Sequence, residues 1–550
     1  MPKSHSYKRA RDANAMAEWR ALYPERFEAL GVDRCHLENV QIALHGQLLV
    51  PGQPDYELKR GLSNPVFDGA PAAIVCCEIE NDVRIALRMA QELGLQFMVR
   101  SGGHCTAGFS TGPGILIDVS GLSGIDVDPV NRLVSVGTGL NFGALNRELA
   151  AHKLHIPGGE CEGVCIGGFV QGGGLGFTSA TYGMNSDNVL EMRVMLADGS
   201  VVIASENRNA DLWWAMRGGT GGNFGVLLSV IYRAYPLGEW ECTGWALAWP
   251  MTTPDDRKTC VEVMKVLQDQ YIVPDKYGRS LTLQVLFVWQ NEIKKNGNWH
   301  DPMIPVLTIR GLWIGDREEG LEAMKPLSEM EGCTPQFDIT HDYMTVLKAL
   351  LDDPQEQPVI DESKGMPNED KSSRFVAQPI PQDGWKEIFD YFVESSPNEL
   401  TYGYLEVYGG AINSYPVEMS AFIHRDVLFN VVMDVFWYTP TERASSEEFM
   451  RGWNAIIEQH WNTHIYQNYV NVSVPDYIWN YWGSAAAGLW QVKTKYDPAG
   501  RFCFAQQVRA PEYSNRASQN RATPSFVSAA LKEPINYGLG SAAGPRLTDA

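Results

Sequence analysis

The chain has 550 residues, 44% hydrophobic, 20% charged and 11% aromatic, which excludes a disordered chain with too little apolar surface to fold. Its 52 Gly and 31 Pro never fall into a collagen period. A net charge of −21 repels phosphate backbones and anionic lipid, so neither nucleic acid nor a membrane is expected as partner, and a small molecule is.

The first residues are basic but are followed by no apolar h-region, and no run approaches the length of a membrane span. A cytoplasmic chain with reduced thiols is expected. Its 10 Cys form no C-x-x-C pair and its 11 His no H-E-x-x-H, so no metal is expected.

Residues 1–45 read as a helical extension, with Ala15, Trp19, Leu22 and Phe27 at roughly helical spacing. A first unit, 46–238, opens with a strand at Ala72–Cys77. Asn81 then caps a helix carrying Val83, Ala86, Leu87, Ala90 and Leu93 on one face, and Gly94 stops it. A second strand at Gln96–Arg100 completes a βαβ unit, which requires a partly parallel sheet.

From 239 to 468 the pattern changes. Leu281–Gln290, Val306–Ile314, Tyr402–Tyr408 and Asn430–Tyr438 read as strands, with a charged loop around Asp352–Lys371. They predict a largely antiparallel sheet covered by helices on one face. Tyr402, Tyr404, Glu406 and Tyr408 share a face by period two. That face is either a polar aromatic platform or the side of a solvated edge strand. Residues 469–508 include a helix, Leu489–Tyr496, ending at Asp497-Pro498, and 509–550 form a polar tail.

Glycine is concentrated in three places: Val99–Gly114, Ile156–Phe177 with nine glycines in 22 residues, and Met216–Val226. Such backbone approaches a ligand closely and offers N–H groups to phosphate oxygens. Several loops of this kind favour a dinucleotide. The spacing fits neither the Rossmann fingerprint around Gly172–Gly176 nor a P-loop, and any one cluster alone is also what tight turns look like.

Together the clusters are more specific. Arg100-Ser101-Gly102-Gly103-His104, Gly159-x-Cys161-x-x-Val164 with Ile166-Gly167-Gly168, and Arg217-Gly218-Gly219-x-Gly221-Gly222-Asn223-Phe224-Gly225 stand in order. Tyr182-Gly183 and Asp187-Asn188-Val189 lie between the second and third of these, and Phe422-x-His424-Arg425, Tyr466-x-Asn468-Tyr469 and Val492-Lys493-x-x-Tyr496-Asp497-Pro498 follow. Over about 55 to 508 the chain resembles the berberine-bridge-enzyme-like FAD-linked oxidases of the vanillyl-alcohol-oxidase superfamily. In character it is nearest to the carbohydrate oxidases.

The resemblance implies an α+β architecture. A two-part FAD-binding domain (46–238 and 469–508) would surround an inserted substrate domain (239–468). FAD would be linked covalently through His104 and Cys161, where an imidazole and a thiolate add to an electron-poor ring. Arg100, Ser101, Gly102, Gly103, Gly159 and Val164 would adjoin it, as would Gly167, Gly168, Gly172, Asn223, Gly225 and Val226. Two departures bear on this site. Cys165 replaces the usual glycine, and Tyr481-Trp482-Gly483-Ser484-Ala485 lacks an asparagine that often contacts the flavin.

For the reaction, the resemblance points to Tyr469 as acceptor of a substrate hydroxyl proton. A phenol with a pKa near 10 needs a positive charge or an acceptor nearby to do this at neutral pH. Glu406 and Tyr404 are the candidates on the tyrosine strand. Val164 stands where the family controls oxygen access, and valine resembles the members that use O2. The expected partners are O2 and a small alcohol. Trp289, Trp313, Tyr402, Tyr404, Tyr408 and Trp437 as stacking faces, with Gln284, Glu406 and Asp434 for hydroxyls, favour a sugar oxidised at its anomeric carbon. The same aromatics suit an aromatic or secondary-metabolite alcohol.

Overall fold

The computed structural model describes residues 34–238, 241–291, 303–352 and 364–510. The helix expected at Ala15–Phe27 and the tail after 510 lie outside the described residues. A helix, Arg34–Ala43, leads into the first of three principal sheets.

That sheet contains β1 (Gln47–Leu49), β2 (Ala73–Cys76), β3 (Phe97–Arg100) and β4 (Ile115–Asp118) in the order β1-β2-β4-β3. Both β2 and β3 run parallel to β4, which lies between them. The crossover helix Glu80–Glu92 starts one residue before Asn81, which does not cap it. Asp82, inside the first turn, accepts the N–H groups of Glu78 and Ile79 instead. The same buried carboxylate also takes the N–H groups of His45 and Gly46, a role that an exposed cap cannot fill. Gly94 ends the helix at φ +63°, a conformation costly for other residues.

A five-stranded antiparallel sheet follows: β5 (Ile125–Asp128), β6 (Leu133–Gly137), β8 (Val189–Met195), β9 (Val201–Ser205) and β10 (Val226–Arg233), in the order β5-β6-β10-β8-β9. Short β7 (Leu154–His155) and β11 (Tyr235–Pro236) pair beside it. The helix Ala486–Tyr496 returns from the C-terminal end to pack Leu489, Val492 and Tyr496 into the core of this sheet. Buried Lys493 secures the return, donating to the carbonyls of Asn223 and Phe502 and to Asp497.

The third sheet is antiparallel throughout. Its strands are β12 (Cys242–Pro250), β13 (Leu281–Asn291), β14 (Met303–Ile314), β15 (Thr334–His341), β16 (Asn368–Val376), β17 (Tyr402–Val407) and β18 (Phe429–Trp437). The order is β15-β12-β14-β13-β17-β18-β16. Helices Pro254–Leu267, Gln382–Ser395 and Pro440–Ile457 cover one face. Two of them open with Thr-Pro, where Thr253 and Thr439 accept the N–H three residues on and proline takes the first helical position.

β17 lies between β13 and β18, so it is an interior strand and not a solvated edge. Parity sorts its neighbours. Val285, Phe287, Leu405, Val431, Met433, Val435 and Trp437 pack under the helices. Leu286, Val288, Tyr402, Tyr404 and Val432 share the opposite face, which is not bare as expected: the helix Tyr343–Asp352 covers its part around Cys242, Gly244 and Leu312. Among the described residues no helix is long and apolar enough to cross a membrane, and no cluster of His, Cys, Asp and Glu could hold a metal.

Candidate active site

A cavity of about 1390 Å³ separates the glycine loops of the first two sheets from the Tyr404 face of the third. It exceeds the ~300–1,000 Å³ typical of small-molecule pockets. Ser101, Gly102, Gly103, His104, Gly159, Cys161, Val164, Gly167, Gly168 and Gly225 line one part. Tyr404, Glu406 and Tyr469 line another. Thirteen of the expected residues thus share one space, brought there by loops far apart in sequence.

Four do not reach it. Arg100 is buried in an ion pair with Asp118 at 2.7 Å, holding β3 to β4. Gly172 packs so closely on Asn468 that a Cβ would fall inside its amide. Asn223 is a structural clasp. Its side chain donates to the Gly219 carbonyl and Thr220 and accepts the Val508 N–H. Val226 belongs to the hydrophobic core of the first sheet.

Several expected substrate contacts are also absent from the wall. Trp289, Trp313 and Trp437 pack under the helices, on the face opposite Tyr404. Tyr408 is buried in a separate aromatic cluster. Gln284 accepts from Arg310, and Asp434 is paired with Lys371. Tyr402 and Tyr404 remain, stacked at 5.9 Å, with Phe436 stacked on Tyr402 at 5.9 Å.

The polar centre is compact. Tyr469 donates its phenol proton to Oε1 of Glu406 at 2.6 Å, and Asn430 Nδ2 donates to Oε2 at 2.9 Å. Burial raises the Glu406 carboxyl to about 7, against the lowering pull of those two bonds and of Lys371. Burial also raises Tyr469 well above an ordinary phenol, and the neighbouring Glu406 adds to this. The carboxylate is therefore the base of the pair and the phenol its proton donor.

At the other end, Gly102, Gly103 and His104 have backbone N–H groups with no acceptor among the described residues. A Cβ on Gly168 would meet no protein atom within 4 Å. Donors and open backbone of this kind fit the phosphates and edge of a dinucleotide. Burial lowers the His104 pKa, leaving the neutral, nucleophilic imidazole, and the ring lies against Gly163, two residues beyond Cys161. Cys161 is exposed in the wall, whereas the Cys165 thiol turns towards the Gly139 carbonyl at 3.3 Å, and burial raises its pKa. None of the ten cysteines is in a disulfide.

Sequence reasoning missed part of the wall. Lys371, assigned to a loop, belongs to β16 and lines the cavity. The segment Asn368-Glu369-Asp370-Lys371 has a loop's composition, so periodicity gave no signal. The helix Tyr343–Asp352 supplies Met344, Leu347 and Leu351 to the wall while Val346 and Leu350 enter a core. Apolar residues all round a helix were the available sign.

Comparison with known proteins finds two family models and several similar chains. Residues 71–205 match the family described as FAD binding domain, and 465–509 the one described as berberine and berberine like. The chain is 25% identical over 470 residues to the uncharacterized FAD-linked oxidoreductase YgaK of Bacillus subtilis, covering 84% of this chain and 97% of that protein. Physcomitrella patens BBE-like 1 superposes with a TM-score of 0.75 at 21% identity, over 87% of this chain and 100% of that one. The xylooligosaccharide oxidase from Myceliophthora thermophila C1 gives 0.73 at 22% identity, over 87% and 99%.

Proposed function

This chain belongs to the berberine-bridge-enzyme-like FAD-linked oxidoreductases, and on that premise we propose that it is an oxidase of an alcohol carbon. The observation that carries this reading is the 2.6 Å bond from Tyr469 to Glu406 inside the cavity. A substrate hydroxyl placed at Tyr469 gives its proton to the phenol oxygen as the phenol proton moves to Glu406. Loss of the hydroxyl proton removes the main obstacle to hydride departure from the same carbon. The chemistry supplied by bound FAD is hydride acceptance and, with O2 as acceptor, formation of hydrogen peroxide. His104 and Cys161 would hold FAD covalently, with Ser101, Gly102, Gly103 and Gly168 around it. Val164 would leave O2 its access.

For the substrate, a sugar or oligosaccharide oxidised at the anomeric carbon to a lactone is supported by Tyr402, Tyr404 and Phe436. Their ring faces can pack on the C–H faces of a sugar, with Glu406 beside them. A specific observation favours a second reading. Met344, Leu347, Leu351 and Met366 give the same cavity an apolar wall, suited to an aromatic or secondary-metabolite alcohol. A peroxide assay with cellobiose, xylobiose and chitobiose against a panel of benzylic and cinnamyl alcohols separates the two. Peroxide from sugars alone supports the first reading, and from the aromatic alcohols alone the second. If neither panel reduces the flavin, both readings are overturned.

A further inference from the structure

We propose that Lys371 is a positioning residue for the Tyr469–Glu406 pair, fixing the direction of a hydrogen-bond chain that runs Lys371 to Tyr404 to Tyr469 to Glu406. The inference rests on the proton-accepting role given to that pair above.

Lys371 comes from β16, two strands away from Tyr404 and Glu406 on β17. Its side chain is only 10% exposed and is ion-paired with Asp434, with Glu369 at 3.6 Å. Nζ also lies 3.4 Å from the Tyr404 hydroxyl and 5.0 Å above the centre of the Tyr469 ring.

An ammonium group has three donors and no acceptor. The Tyr404 oxygen therefore accepts from Lys371, and its own proton must point elsewhere. The Tyr469 ring meets the Tyr404 ring edge to face at 6.5 Å, and Tyr404 acts to lower the Tyr469 pKa, so the Tyr404 proton is directed towards Tyr469. Tyr469 in turn donates to Glu406. Every member then has a single sense of donation, ending on the carboxylate. As Tyr469 passes its proton to Glu406 and takes the substrate's, the Tyr404 donor and the Lys371 charge both stabilise negative charge developing on the phenol oxygen.

Lys371 is kept charged in this buried place. Burial acts against its charge, but Asp434 and Glu369 outweigh burial and raise its pKa. The groups facing Glu406 are few and come from five strands and one loop. They are Gln284 on β13, bonded to Arg310 on β14, and Tyr404 and Tyr408 on β17. Asn430 and Asp434 come from β18, Tyr466 and Tyr469 from the 465–470 loop, and Lys371 from β16. Lys371 and Arg310 are the cations in this set, and Arg310 is engaged with Gln284 and the Leu350 carbonyl.

The test is an isotope-edited infrared titration of the Glu406 carboxyl in the holoenzyme, which needs no substrate. Lys371→Met is combined with Asp434→Asn so that no buried charge is left unpaired. Lys371 acts on Glu406 more strongly than Asp434 does, so the midpoint rises when both charges go. Lys371→Arg keeps the charge and returns the midpoint to within a few tenths of the parent's. A double variant that binds flavin normally and titrates like the parent overturns the proposal. Tyr469→Phe and Glu406→Gln, assayed alongside for flavin reduction, report on the functional reading separately. If neither slows reduction, the role of the pair falls, whatever the infrared midpoint shows.

Discussion

Tyr469 and Glu406 are 63 residues apart in the chain and share a 2.6 Å hydrogen bond in the cavity wall. The burial that raises the carboxyl to about 7 makes it a proton acceptor tuned to neutral pH. Because the ionised form accepts, flavin reduction is expected to rise with pH through about 7 and level off above it. Glu406→Gln should abolish that limb and slow reduction about 100- to 10,000-fold, as read by stopped-flow at several pH values.

The same burial makes stability pH-dependent. Burial also raises Asp370, to about 6, against a hydrogen bond from Asn471. In both cases the folded chain binds the proton more tightly than the unfolded one. The stability these carboxyls contribute is present below their ordinary range, near pH 4, and is lost as pH rises towards 6 for Asp370 and 7 for Glu406. Denaturant melts at pH 5 and pH 7.5 should show the loss, and Asp370→Asn should reduce it.

Covalent attachment predicts that acid-precipitated protein stays yellow. His104→Ala and Cys161→Ala should each leave flavin on the chain through the other residue, and the double variant should release all of it. Cys165→Ala should release none, because its thiol points to the Gly139 carbonyl. Peptide masses after digestion check each case.

Val164 lines the cavity, partly buried against the core of the five-stranded sheet. Val164→Leu should slow reoxidation of the reduced flavin by O2 several-fold while leaving reduction within about twofold. Separate reductive and oxidative stopped-flow measurements decide it.

Arg425 holds Asp187 through two bonds, at 2.8 and 2.6 Å, with both side chains nearly inaccessible. Arg425→Met leaves a buried carboxylate without its cation. It should cost about 3–5 kcal/mol, visible as a lower melting temperature, whereas a change at exposed Lys325 should cost almost nothing.

Much of this protein was legible in its sequence. Motifs local in the chain named the glycine loops, His104, Cys161 and Tyr469. Period two put Tyr402, Tyr404 and Glu406 on one face. Gly94 marked a helix end through the positive φ that glycine tolerates. These properties are set within a few residues, so the linear order contains them.

Which face of a strand meets the cavity is set by what packs on the sheet, and that depends on helices outside the strand's own segment. The tryptophans at 289, 313 and 437 therefore read as substrate contacts but lie under helices. Arg100, Gly172, Asn223 and Val226 sit inside the right motifs, yet each is used in packing or pairing with a distant partner. Lys371 gave no local sign because its partners, Asp434 and Tyr404, come from two other strands. The sequence determined which groups were present and which way each local segment runs. Tertiary structure alone decided which were desolvated together, because burial and charge pairing depend on distances in space that residue order does not contain.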